Sequence, residues 1–146
     1  NTYVSMSPTY PTMDREDMRD VLKRVGEVDP DVVFHEPINP RSGNFQMTVN
    51  SAREFGESEL AWELDRLRDR ERWLEYSLRQ FRWVQELGEE LNIPVHLWPD
   101  SRHISETSGE ISDWLQAWKD RQSPEEFANR ETPTSSLPSL PSQVPQ

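Results

Sequence analysis

The sequence predicts an α/β fold built on a parallel sheet. Three short apolar segments, at residues 2–6, 31–35 and 94–100, alternate with segments of helical periodicity. Such alternation is typical of parallel strands joined by right-handed crossovers. Each apolar segment also leads into prolines and hydrogen-bonding residues, and the chemistry of parallel sheets and barrels lies at the carboxyl ends of their strands. We therefore expect a partial parallel (βα) barrel or open sheet, with a long helix, C-terminal helices and a disordered tail.

Local signals mark the first strand and the helix that follows it. Tyrosine, valine and methionine within residues 2–6 predict a strand, which Pro8 and Pro11 terminate. Thr12 or Asp14 can cap a helix with an acidic first turn. The helix ends at Gly26, and its apolar stripe follows the i, i+3, i+4, i+7 pattern, with Met18, Val21, Leu22 and Val25.

The second strand, at residues 31–35, is the most informative segment of the chain. Pro37 and Pro40 prevent its continuation as a central strand or a helix. Two explanations fit the polar residues at this end: they line a site, or they cap the backbone of their own loop. These residues are His35, Glu36, Asn39 and Arg41.

A long helical region separates the second strand from the third. Residues 45–55 form a weakly patterned helix that Gly56 ends, and residues 58–91 keep one face apolar. The charged stretch 66–72 leaves open a kink or a division into two helices. Tryptophans lie off the apolar stripe and predict a second contact surface; they are Trp62, Trp73 and Trp83.

The last part of the chain combines a strand, helices and a tail. Residues 94–100 are the third predicted strand. A helix begins at Ser108 or Gly109, and Ser123 followed by Pro124 signals a further short helix. Residues 131–146 consist mainly of proline, serine and threonine and are predicted to be disordered.

Composition limits the classes of partner and site. The net charge of −11 disfavours nucleic acid and anionic membranes as partners. No segment has the length and apolarity of a membrane span or a signal sequence, so we expect a cytoplasmic protein without a membrane partner. The chain has no cysteine, which excludes disulfides, thiolate zinc sites and iron–sulfur ligands within it. Because strand-like residues follow Asn1 directly, we expect the C-terminal part of a longer protein.

Other catalytic and metal-binding classes lack support in the sequence. The candidate metal ligands match no local motif, and neighbouring residues on a regular strand point to opposite faces, so we predict no metal site. These candidates are His35, His96, His103, Glu36 and Asp100. The chain also lacks a Gly-x-Ser-x-Gly elbow, a P-loop and a Gly-x-Gly-x-x-Gly loop.

Three segments resemble a known family: SPTYPTM at residues 7–13, VVFHEPINPRSGN at 32–44 and IPVHLWPD at 93–100. They look like the C-terminal part of radical S-adenosylmethionine proteins, in the DNA-repair-photolyase-like branch that includes spore photoproduct lyase. The resemblance implies that residues 1–105 form the last three strands of a partial (βα) barrel, followed by a helical extension at 106–130 and the tail at 131–146. It also implies S-adenosylmethionine and a [4Fe–4S] cluster as cofactors. The cysteine motif of the family is absent, so the cluster ligands are expected upstream and the chain alone is expected to be inactive.

The resemblance also implies roles for residues at the three strand ends. Glu36 would accept hydrogens from ribose hydroxyls or an amino group, Asn39 would bind an adenine or amide edge, and Arg41 would bind a carboxylate or phosphate. Ser5 and Ser7 would complete the cofactor contacts. On the substrate side, Trp98 would stack on a ring and Asp100 would orient Arg102 or His103. The substrate contacts are Tyr10, His35, Trp98, Asp100 and Arg102, with the substrate and the catalytic residue unassigned.

A non-enzymatic helical interaction module is the alternative. The long helical region and its off-stripe tryptophans would dock a partner, and the acidic surface would favour a basic one. Three adjacent parallel strands would support the enzyme hypothesis, and an all-helical bundle would contradict it.

Overall fold

The computed structural model describes residues 1–122 and 137–146, which contain three strands and six helices. In chain order the elements are β1 (Tyr3–Thr9), α1 (Arg15–Gly26), β2 (Val32–Pro37), α2 (Phe45–Glu54), α3 (Ser58–Arg66), α4 (Arg70–Leu91), β3 (Val95–Leu97), α5 (Ser101–Ser105) and α6 (Gly109–Asp120). The predicted short helix at Ser123 and the predicted disorder of residues 131–136 lie outside the described residues.

The strands form one parallel sheet in the order β1-β2-β3. Ser5 pairs with Phe34, and Phe34 pairs with His96, so the three strands are in register across the sheet. The predicted α/β class and the three adjacent parallel strands are confirmed. Closure into a partial barrel stays a prediction.

Helices α1 and α4 cover one face of the sheet. Met18 and Leu22 of α1 and Phe81 of α4 belong to the same core cluster as the strand residues on that face. We call this cluster the main core. Those strand residues are Met6, Val33, Val95 and Leu97. Because strand side chains alternate between faces, the intervening residues point away from α1 and α4.

Capping and close packing fix the helices, and the cap at Asp14 is one of the two that the sequence predicts. Asp14 caps α1: its Oδ1 accepts a hydrogen bond from the Asp17 amide at 2.8 Å, and the Asp17 carboxylate accepts one from the Asp14 amide at 2.9 Å. Gly88 allows α4 to approach β3, since a Cβ at this position would lie 2.7 Å and 2.8 Å from the two γ-carbons of Val95. Asn92 ends α4 in the left-handed region, with a φ of 54°.

The long helical region divides into two helices, the second of the two possibilities left open by its sequence. α3 ends at Arg66, and Asp69 caps α4 by accepting a hydrogen bond from the Arg72 amide at 3.1 Å. Beside this break, a second core cluster joins α2, α3 and the first turns of α4 to Ile38. Trp73 is fully buried in this cluster.

The C-terminal region differs from its prediction in two places. α5 was not predicted, because five residues are too few to show a helical period. Residues 137–146 are not the disordered tail that their composition suggests, since Leu137 and Leu140 pack on the main core and Val144 is buried. The start of α6 at Gly109 agrees with the prediction. None of the helices in the described part of the chain has the length and apolarity needed to cross a membrane.

Candidate functional site

A shallow pocket lies on the sheet face that points away from α1 and α4. Its volume is about 250 Å³, and we call it the sheet-face pocket. It is lined by Ser5, Ser7, Phe34, Glu36 and Trp98. Four of these five residues are site residues predicted from the sequence, and the strand register brings them together.

The sheet-face pocket has an aromatic side and a carboxylate side. Phe34 meets Trp98 edge to face, with ring centroids 5.6 Å apart and planes at 79°. Ser7 Oγ donates a hydrogen bond to Glu36 Oε2 at 3.1 Å, across the β1–β2 pair. Trp98 is held beside β2 because its amide donates to the carbonyl of His35 at 2.9 Å.

This arrangement favours a particular kind of ligand. Aromatic faces attract flat rings and cations, and a carboxylate accepts hydrogen bonds from hydroxyl or amino groups. Because Glu36 and Ser7 are exposed, their polar groups are within reach of a molecule that approaches from solvent. The pocket therefore suits a small ligand that joins a ring or a cationic centre to hydroxyl or amino donors.

A second group of predicted residues meets where β2 and β3 end. Asn39 Nδ2 donates to Asp100 Oδ2 at 3.3 Å, and Asn39 Oδ1 accepts from the Arg41 amide at 2.9 Å. The Asp100 amide in turn donates to His103 Nδ1 at 2.9 Å. Both ends of the Asn39 amide are thus used within the protein, which agrees with the local-capping explanation considered for this loop.

The remaining predicted site residues lie apart from the sheet-face pocket. His35 points to the opposite face from Glu36, as strand alternation predicts, and is fully buried. Tyr10 packs beside the second core cluster. Arg102 lies over the Trp73 ring, with its guanidinium carbon 5.0 Å from the ring centroid.

A buried polar network, formed by Thr9, His35, Tyr76 and Gln80, lies beneath the ends of β1 and β2. Thr9 Oγ1 donates to Gln80 Oε1 at 2.5 Å, and the Tyr76 hydroxyl donates to the carbonyl of Thr9. The Gln80 amide nitrogen donates to the carbonyl of Tyr10 at 2.8 Å, which fixes the orientation of that side chain. Each bond joins α4 to the end of β1.

Burial keeps the histidines of this region neutral. Desolvation, helped by the nearby His103, lowers the pKa of His35 to about 3. Desolvation also lowers the pKa of His103 to about 4, against the opposing effect of Asp100. Burial raises the pKa of the Tyr76 hydroxyl. At neutral pH these groups are uncharged hydrogen-bonding partners.

Sequence patterns alone did not assign Phe34, Thr9, Tyr76 or Gln80 to this region. Thr9 lies near the carboxyl end of β1 and Phe34 near that of β2. Their positions in the sequence pattern do not distinguish them from core residues. Tyr76 and Gln80 are polar residues beside the apolar stripe of α4. Polar residues next to such a stripe are the signal by which the sequence could have indicated them. Within residues 1–122 and 137–146, no group of three or more metal-ligating side chains is placed to hold a metal ion.

The three tryptophans predicted to form a second contact surface do not lie together, since two pack against core clusters and one is exposed. Trp73 is buried in the second core cluster, and Trp83 is half-buried against the main core. Trp62 is 58% exposed, and the Arg66 guanidinium lies 4.3 Å from the centroid of its ring. Of the three tryptophans, Trp62 is the one presented to solvent.

Comparisons with family models, curated proteins and solved structures find no match to this chain. The resemblance carried by residues 7–13, 32–44 and 93–100 therefore stays a hypothesis. The placement and chemistry of the described residues are the observations on which a function can be argued.

Proposed function

We propose that this chain is the C-terminal portion of a radical S-adenosylmethionine enzyme and that the sheet-face pocket binds the nucleoside part of the cofactor. The observation that carries the proposal is the meeting of Ser5, Ser7, Glu36 and Trp98 in one pocket. These residues come from β1, from β2 and from the position after β3, and the sequence predicts each of them as a site residue.

The arrangement of helices supports the partial-barrel part of the proposal. In a doubly wound sheet, crossover helices cover both faces, whereas in a (βα) barrel the helices lie outside and the other strand face points inward. Here α1 and α4 contact each other and share one core cluster with the same sheet face. The sheet-face pocket is on the face that would point into a barrel; at β3 this face also meets α6, where the His96 and Trp118 ring centroids are 5.3 Å apart.

The chemistry of the pocket fits the cofactor. The Glu36 carboxylate would accept hydrogen bonds from ribose hydroxyls, with Ser7 orienting one of its oxygens. The rings of Phe34 and Trp98 offer apolar and cation-attracting surface to an adenine ring or a sulfonium centre. These residues bind and orient a ligand.

The residues of this chain do not fit a [4Fe–4S] cluster. Iron–sulfur clusters are held by cysteine thiolates, and the sequence has no cysteine. In the proposed enzyme those ligands belong to a part of the protein other than this chain. No chemical step on the cofactor is therefore assigned to any residue of this chain.

A titration of the isotope-labelled chain with S-adenosylmethionine tests the proposal. We expect shifts of the backbone amides of Ser7, Phe34 and Glu36 and of the Trp98 indole, with saturation in the millimolar range because only one wall of the site is present. Glu36→Gln should weaken binding about tenfold, since a hydrogen bond to a charged acceptor contributes about 1.5–3 kcal/mol. Glu54→Gln, the same change at an exposed residue of α2, is the matched control. Shifts that scatter over the surface, or equal binding by both variants, would reject the assignment.

The interaction-module alternative has one specific observation in its favour. Large apolar side chains are exposed on α2 and α3 and at the end of α2, namely Met47, Phe55 and Trp62. A basic helical peptide added to the labelled chain would shift the Trp62 indole under this alternative. The cofactor proposal predicts a response of the Trp98 indole to S-adenosylmethionine instead.

A further inference from the structure

The last ten residues of the chain pack against its own helices through regularly spaced apolar side chains. The segment repeats Leu-Pro-Ser, at Leu137–Ser139 and Leu140–Ser142. Polyproline II has three residues per turn, so this period places Leu137 and Leu140 on one side of the segment. Both leucines pack against the main core.

Val144 extends this apolar side by means of a turn. The Val144 amide donates to the carbonyl of Pro141 at 3.3 Å, which closes a turn after the second repeat. Val144 is 2% exposed and belongs to the main core cluster. The Arg82 guanidinium donates to the carbonyl of Val144, so α4 holds the backbone of this residue.

Gln85 binds the backbone of the segment. Its Oε1 accepts hydrogen bonds from the indoles of Trp114 at 2.8 Å and Trp118 at 3.1 Å. These two donors fix the amide so that its nitrogen donates to the carbonyl of Pro138 at 2.7 Å. A polar donor beside aromatic rings, aimed at a carbonyl of a proline-rich segment, is the arrangement by which proteins bind such segments.

The α6 side of the segment is open. A cleft of about 420 Å³ lies between Pro138–Ser142 and α6, where it is lined by Glu110, Asp113, Trp114 and Ala117. The segment is thus held along α4 and is not enclosed on its other side. An added ligand can therefore reach the segment from the α6 side.

We propose that the groove between α4 and α6, with Gln85 at its centre, is a binding site for leucine- and proline-rich segments, and that residues 137–146 are its exchangeable intramolecular occupant. The ligand class is a short extended segment with leucines three residues apart and a free carbonyl for Gln85. This site is separate from the sheet-face pocket, and the proposal does not rest on the proposed function.

Competition on the intact chain tests exchange. An unlabelled peptide of residues 137–146 is added to the isotope-labelled protein, while the segment amides and the Trp114 and Trp118 indoles are monitored. We expect the amides of the segment to move to the positions of the free peptide while the indoles keep their bound positions, because the added peptide replaces the tethered one. Because the segment belongs to the same chain as the groove, its effective concentration is on the order of millimolar, so half-displacement is expected in that range. A peptide with both leucines changed to serine should not compete.

A variant removes the competition of the tethered segment. Val144→Asp places a charge at a buried position and should release the segment, and Gln143→Asp makes the same charge change at the exposed neighbour. The added peptide should bind Val144→Asp at least about tenfold more tightly than it binds the wild type, because the groove is then free, and Gln143→Asp should match the wild type. Adding Gln85→Ala to Val144→Asp should abolish binding. If millimolar peptide displaces nothing in the wild-type chain, the proposal is wrong whether or not the variants fold.

Discussion

Thr9 Oγ1 lies 2.9 Å from His35 Nε2, and this contact determines which nitrogen of His35 carries the proton. The single hydroxyl hydrogen of Thr9 is donated to Gln80 Oε1. His35 must therefore be the donor to Thr9, which places its hydrogen on Nε2 and leaves Nδ1 unprotonated in the neutral ring. At His103, the Asp100 amide donates to Nδ1, so the hydrogen of the neutral ring is also on Nε2.

We predict that long-range proton–nitrogen spectra show the Nε2–H form for both His35 and His103, unchanged from pH 7 down to pH 5. The structural reason is that the lowered pKa values, about 3 and about 4, keep both rings neutral over that range. An Nδ1–H form of either neutral ring would contradict the hydrogen-bond assignment, and a charged ring at pH 6 would contradict the lowered pKa values.

Stability should decrease as the pH falls below about 6.5, the usual histidine pKa. Both pKa values are lowered in the folded state, so between the unfolded and folded pKa values the unfolded chain binds more protons. Each histidine then removes up to about 1.4 kcal/mol of stability per pH unit on acidification. Urea unfolding at pH 7 and pH 5 measures the loss, and His35→Gln should reduce the dependence of stability on pH. Equal slopes for the wild type and this variant would be inconsistent with a buried neutral His35.

Thr9→Val should lower the free energy of unfolding by about 1–3 kcal/mol, since it leaves Gln80 and His35 with unsatisfied polar groups in a buried place. The change keeps the shape of the side chain. Thr12→Val, at an exposed position, is the control and should change stability by less than about 0.5 kcal/mol. Urea unfolding compares the two variants.

Gly88→Ala should destabilise the protein by about 1–3 kcal/mol, because the added methyl overlaps Val95 and forces α4 and β3 apart. Gly43→Ala meets no atom within 4 Å and should be neutral or slightly stabilising. Thermal unfolding of the two variants provides the comparison. A neutral Gly88→Ala would mean that α4 and β3 do not approach as described.

Asn39→Ala should lower stability by about 0.5–1.5 kcal/mol through loss of its two internal hydrogen bonds. If the amide serves only to join the ends of β2 and β3, the S-adenosylmethionine-induced shifts at Glu36 and Trp98 should be unaffected. A selective loss of those shifts would instead restore Asn39 to the set of cofactor contacts.

The parts of the fold that depend on neighbouring residues could be predicted from the sequence. The cap at Asp14, the stripe of α1 and the separation of His35 from Glu36 all follow from helix and strand periods. The buried polar network could not be predicted, because Thr9 and Gln80 are far apart in sequence and meet only when α4 packs on the sheet. Residues 137–146 are a similar case: their composition suggests disorder, and the partner that orders them, Gln85, belongs to a distant helix.

Hydrogen bonds from α4 hold the backbone of the loop that follows β2 at Ile38. Its amide donates to the Tyr76 hydroxyl at 2.9 Å, and its carbonyl accepts from the Trp73 indole at 3.2 Å. Two large side chains of the longest helix thus hold the backbone two residues beyond Glu36. A ligand that binds Glu36 would meet a preorganised wall and would lose little affinity to the ordering of a loop.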